Sequence, residues 1–136
     1  MYLVAFIDWY SRYIVGYELS DNLETEFCIK ALNQALFIAT PEIVNSEQGS
    51  QFTSEEFTSI LKQANIKISM DGKASYRDNI LTERFWRTIK YEDIYIRGYQ
   101  NLEEARIGVA KYIQFYNHKR IHQSLDYQVP ATLYFE

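Results

Sequence analysis

The stretch Tyr2–Leu19, YLVAFIDWYSRYIVGYEL, decides how the rest of the chain is read. Tyr2–Asp8 is an almost unbroken apolar run, the pattern of a strand buried on both faces. Trp9–Arg12 supplies a polar turn. Tyr13–Leu19 is rich in β-branched and aromatic residues and reads as a second strand. So short a connection predicts an antiparallel hairpin.

Working outward, Asp21 and Glu24 have the spacing of a capping box. Leu23, Phe27, Cys28, Ala31, Leu32, Ala35 and Leu36 then recur at helical spacing, which predicts a helix to about Ile38. Glu42–Glu47, EIVNSE, is a short apolar run ending in a polar turn, and reads as a third strand. Thr53 and Glu56 suggest a second capping box, with Phe57, Ile60, Leu61 and Ala64 on one helical face. Ile66–Met70 is a fourth strand, and Asp71–Asn79 a polar loop. Helical spacing returns from Ile80 to about Tyr95. Asn101 and Glu104 cap a last long helix to about Lys119, and the remaining tail reads as irregular. The predicted order is β-β-α-β-α-β-α-α, a mixed sheet with helices on its faces, in a single domain over residues 1–136.

Composition narrows the possibilities. The 136 residues are 47% hydrophobic, enough for one core. No window has the eighteen or so unbroken apolar residues of a membrane span. Met1 leads straight into the apolar run, so no secretory signal is expected. The single cysteine, Cys28, excludes an internal disulfide and suits a reducing cytoplasm. Its place in a helical apolar pattern makes it a core residue.

Lys and Arg number 14 against 18 Asp and Glu, a net charge of −4. The halves differ: residues 1–67 hold 4 basic and 9 acidic side chains, residues 68–136 hold 10 and 9. A surface that faces phosphates is expected in the second half.

Two acids stand out. Glu47 closes the third strand, where active sites of α/β sheets gather. On the helix after Ile80, Leu81, Phe85 and Ile89 mark the apolar face, and Glu83 lies nearly opposite with Arg87 and Lys90 beside it. A solvated loop glutamate and a surface ion-pair stripe are the plain explanations. A metal-holding carboxylate beside phosphate-gripping cations is the functional one.

The segments NSEQGSQFTSEEF, ISMDGKASYRDNILTERFWRTIKYEDIY and YIQFYNHKRIHQSLDYQVPA resemble the integrase core of bacterial insertion-sequence transposases, in the superfamily of retroviral integrases. The resemblance covers essentially the whole chain. It implies a ribonuclease H-like mixed sheet flanked by helices. It also implies two-metal phosphoryl transfer that cuts transposon ends and joins them to target DNA, with Mg²⁺ or Mn²⁺ held by two aspartates and a glutamate. Glu83 matches the glutamate, and Glu47 stands where the family has its second aspartate. The first aspartate of the family lies on a central strand preceding the one matched by Tyr2–Asp8, so the fold is expected to lack that strand. The two half-sheets are then expected to close on each other or to leave a gap that another chain could fill. Asp8 aligns with a non-catalytic position. Arg87 and Lys90 match DNA-contacting cations, with Lys73, Arg77, Arg84 and Arg120 as further candidates. Tyr116, Asn117, Arg120, His122 and Leu125 match a family pattern expected to anchor the tail. His118 and His122 have no third ligand at zinc-binding spacing.

The chain is thus expected to be the C-terminal part of a transposase, read from an internal methionine and impaired in catalysis. Its expected partners are DNA, further copies of itself or full-length transposase. The alternative is a non-catalytic remnant that binds DNA or transposase, as an inhibitor or an inert product.

Overall fold

A computed structural model describes residues 2–22, 24–38, 43–46, 54–70 and 76–136. They form β1 (Tyr2–Ile7), β2 (Ile14–Ser20), α1 (Thr25–Ile38), β3 (Ile43–Ser46), α2 (Glu55–Gln63), β4 (Lys67–Met70) and α3 (Tyr76–Ile89). A π-helical stretch, Lys90–Ile94, continues α3 and leads into the short α4 (Tyr95–Arg97). Then come α5 (Leu102–His118), a 3₁₀ turn (Gln123–Leu125) and α6 (Pro130–Tyr134). The order expected from the sequence is present, and the tail expected to be irregular carries a turn and a helix.

Among the described residues the strands form two separate two-stranded sheets. One is the β1–β2 hairpin, whose turn is closed by Asp8 N–H donating to the Tyr13 carbonyl at 2.9 Å. In the other, β3 and β4 run parallel, Ile43 opposite Lys67 and Ser46 opposite Met70. Among the described residues the mixed sheet is thus one hairpin and one parallel pair, without backbone pairing between them. In β1 only Val4 is buried, so the strand is half-covered rather than enclosed on both faces.

The described residues divide into two compact units, residues 1–6 with 15–80, and residues 7–14 with 81–136. The first has its own apolar core. Phe27, Cys28, Ala31 and Leu32 of α1 meet Val4 of β1, and Phe57 and Leu61 of α2, with Ile66. Phe6 stacks on Phe57, ring centroids 6.3 Å apart. Burial pushes the Cys28 thiol up to about 11, as befits a core residue with no nucleophilic role. Gly16 lets β2 lie against the α1 backbone, since a Cβ there would sit 2.2 Å from the Ala31 carbonyl oxygen.

Two caps differ from expectation. Ser54, not Thr53, caps α2, its Oγ accepting from Phe57 N–H at 3.2 Å. Helix α1 begins at Thr25 rather than directly after Asp21. The third cap is as expected: Asn101 Oδ1 accepts from Glu104 N–H at 2.9 Å. The return bond of that box goes one residue earlier, from Gln100 N–H to the Glu104 carboxylate at 2.9 Å.

The second unit is built on α5. Ala105, Val109, Tyr112, Ile113 and Tyr116 bury one face, with Phe85 and Ile89 of α3 and Leu125 of the tail. Tyr13 joins it by stacking on Tyr134 at 4.6 Å. Gly98, at φ 58°, ends α4 in the left-handed conformation that glycine adopts without strain. Among the described residues no helix is long and apolar enough to cross a membrane.

Candidate functional site

Helix α3 carries most of the candidate residues. Phe85 and Ile89 are buried, 2% and 0% exposed, so the apolar face lies where the helical spacing puts it. Glu83, Arg84, Arg87 and Lys90 are all exposed. Lys30 pairs with Glu26, Arg97 with Asp93 and Arg120 with Glu92, and none of these pairs involves Glu83. Glu83 is thus not tied to Arg87 one turn on, and the plain ion-pair explanation of that stripe lacks its bond. Arg87 instead lies over the Tyr91 ring, 5.9 Å from its centroid.

Arg77 is carried on the first turn of α3. Glu47 and Lys73 lie outside the described residues. Among the described residues, no group of three or more carboxylate, imidazole and thiol side chains is placed to hold a metal. Glu83 presents an exposed carboxylate, the oxygen ligand that Mg²⁺ takes. His118 and His122 go to separate tyrosines, His118 edge-on to Tyr13 at 5.8 Å and His122 edge-on to Tyr116 at 4.9 Å.

Arg120 is held by a partner that sequence reasoning missed. Its Nε and Nη2 donate to the two carboxylate oxygens of Glu92, at 2.8 and 2.6 Å. Tyr112 Oη donates to the same carboxylate at 2.7 Å. These bonds, Arg120 first, hold the Glu92 carboxyl below its usual range. Burial, then the hydrogen bond to Glu92, raises the Tyr112 hydroxyl. Glu92 sits in the π-helical stretch, where the wider turn gives the helix an irregular register. The next residue, Asp93, is 4% exposed and accepts from Tyr99 Oη at 2.6 Å.

The tail is anchored as its sequence pattern suggests. His122 N–H donates to the Gln128 carbonyl at 3.1 Å, and Tyr127 N–H to the His122 carbonyl at 2.9 Å. Asn117, 4% exposed, bonds both backbone groups of Ile14. These contacts bring Arg120 and His122 to a cleft that Arg84 and Arg87 also line. Arg12 lines it too, at φ 68° in the hairpin turn. No spacing in the sequence pointed to Arg12, because its position depends on that turn.

Comparison with known proteins places this architecture. Residues 1–75 and residues 64–130 match two family profiles, each described as an integrase core domain. The transposase for insertion sequence element IS904 of Lactococcus lactis is 37% identical over 134 residues, which is 96% of this chain and 53% of that protein. The chain thus spans about half the length of the curated relatives it matches. The catalytic core domain of BIV integrase superposes with a TM-score of 0.79 at 16% identity, over 98% of this chain and 84% of that one. The HTLV-2 integrase catalytic core, solved as a dimer in complex with magnesium, gives 0.72 at 19% identity, over 95% and 81%.

Proposed function

The chain belongs to the integrase core domain family, with the ribonuclease H-like fold of integrase catalytic cores, and from that premise we propose that it is a DNA-acting transposase core, cytoplasmic, with its own catalysis impaired. Residues 1–136 form one partial core domain in this reading. The observation that carries it is on α3: an exposed Glu83 without a salt-bridge partner among the described residues, with Arg84, Arg87 and Lys90 exposed beside it. A carboxylate left unneutralised next to three cations suits a metal-bound phosphodiester better than it suits a structural ion pair.

Glu83 and Glu47 are the proposed metal-holding acids, and Mg²⁺ or Mn²⁺ the ion. Such an ion, when bound, supplies charge neutralisation at a phosphoryl oxygen. The chain's own cations act on the rest of the polyanion. Arg87 and Lys90 lie three residues apart and so share a helix face, where they grip backbone phosphates. Lys73, Arg77, Arg84 and Arg120 extend that grip, Arg120 with its charge offset by Glu92. Impairment follows from Glu47. Its extra methylene moves the carboxylate by about 1 Å relative to aspartate, and a misplacement of that order costs roughly 10²-fold in rate.

The proposed partners are transposon-end and target DNA, and further copies of this chain or full-length transposase. DNA binding is read by fluorescence anisotropy of a short duplex against salt concentration. Arg87→Gln and Lys90→Gln are each expected to lower the salt slope by about 1, uniformly across sequences. Slopes that stay unchanged in both variants would remove α3 from the interface.

A further inference from the structure

The π-helical stretch Lys90–Ile94 is closed by Tyr95 N–H, which donates to the Lys90 carbonyl. A turn closed in this way is wider than an α-helical one, and it brings side chains four apart closer to one line. Arg87, Tyr91 and Tyr95, spaced by four, form such a line on the exposed surface of the second unit. On the DNA-acting role proposed above, we infer that Tyr91 and Tyr95 are a stacking platform for unpaired bases of a single DNA strand.

Neither ring belongs to the core. Tyr91 and Tyr95 are each 63% exposed. The other tyrosines of this region are engaged: Tyr99 donates to Asp93, Tyr112 donates to Glu92, and Tyr116 is buried. One exposed ring is ordinary, but two in contact, with the exposed Ile96 next in sequence, leave contiguous apolar surface in water. The two rings meet edge to face, with centroids 5.4 Å and planes 87° apart. The ring that offers its edge keeps both of its faces clear of the other. Arg87 lies over Tyr91 and holds that ring on the surface.

The charges around the rings select the ligand. Arg87 and Lys90 are exposed and have no ion-pair partner among the described residues. The acids of the same stretch are occupied, Glu92 by Arg120 and Tyr112, and the buried Asp93 by Tyr99 and Arg97. The stripe therefore sets flat apolar faces beside uncompensated positive charge. A single strand is its complement, because phosphates alternate with bases whose faces are free. In a duplex those faces are already stacked on their neighbours, and two perpendicular rings do not fit a run of parallel bases. A protein partner would have to bring its own acids to answer Arg87 and Lys90, whereas every nucleotide of the strand carries its phosphate.

The test compares a dye-labelled oligothymidylate with a duplex of equal phosphate count, each bound to the full chain and read by fluorescence anisotropy. Tyr91→Leu and Tyr95→Leu are each expected to weaken the single strand about tenfold and the duplex by less than about twofold. The salt slope is expected to stay as in the wild type, because no phosphate contact is lost. Tyr91→Phe and Tyr95→Phe keep the rings and are expected to bind as the wild type does. A second reading needs no variant: an oligonucleotide carrying 5-iodouracil, irradiated on the wild-type chain, is expected to crosslink to Tyr91 or Tyr95. Crosslinks confined to other residues, or an equal loss on single strand and duplex, overturn the inference and leave the DNA-acting role standing. Leucine variants that keep their single-strand affinity but lose self-association in sedimentation overturn it in favour of a second copy of the chain. A wild-type chain that binds neither single strand nor duplex refutes the DNA-acting role, and the platform falls with it.

Discussion

The side chain of Asn117 bonds both backbone groups of Ile14, accepting from its N–H at 2.8 Å and donating to its carbonyl at 3.1 Å, across 103 residues of sequence. In this arrangement an amide side chain on α5 does for the first residue of β2 what a neighbouring strand would do. It ties the hairpin turn, and with it Arg12, to the helix that leads into Arg120 and His122.

Asn117→Ala leaves two buried backbone groups without partners. Each such group costs about 1–3 kcal/mol, and urea unfolding of the variant is expected to show a loss in that range or above. Asn117→Asp is expected to be at least as damaging, because an acceptor then faces the Ile14 carbonyl. A variant as stable as the wild type would mean that water replaces both bonds.

Gly16 is expected to tolerate no side chain. In Gly16→Ala the new Cβ meets the Ala31 carbonyl, a backbone atom that cannot swing aside, and overpacking of this kind costs about 1–3 kcal/mol. Chemical denaturation checks it, and an unchanged midpoint would show that α1 shifts freely from β2.

Acid stability follows from His122. Its folded-state pKa, about 4, lies below the ordinary 6.5, so the unfolded chain takes up the proton more readily. The neutral ring therefore contributes stability that is full above pH 6.5 and is lost as the pH falls toward 4. Glu92, held down by Arg120, adds a loss at lower pH. Thermal melts from pH 7 to pH 4 are expected to fall for the wild type, and less steeply for His122→Gln in the upper part of that range. Parallel curves would contradict the burial of that ring.

Strand transfer on transposon-end DNA is expected to be weak for the wild type. Glu47→Asp is expected to raise it, by up to roughly 10²-fold if placement of this carboxylate limits the rate. Glu47→Asp activity at or below the wild-type level would show that the longer acid is not what limits this chain.

The parts that were legible in the sequence are those governed by local patterns. The hairpin showed in its two apolar runs, and the last long helix in the Asn101–Glu104 box. The apolar stripe of α3 correctly put Phe85 and Ile89 inside and Glu83 outside. The Thr53 box was misread by one residue because Ser54 is an equally good cap, and only tertiary position chooses between them. The π-helical stretch left no sign, since a change in hydrogen-bond register needs no particular composition. Glu92 was missed as the partner of Arg120 because the two lie 28 residues apart. Arg12 was missed because its side chain is aimed by a positive φ that only the folded turn reveals.

The central claim is that Glu83 is a metal-holding carboxylate, and paramagnetic broadening by Mn²⁺ tests it most directly. Mn²⁺ added to the isotope-labelled chain is expected to broaden amide signals around Glu83 on α3 first. Glu83→Gln is expected to abolish that broadening while leaving the spectrum folded. Broadening that persists unchanged in Glu83→Gln, or that centres on residues away from α3, would contradict the account.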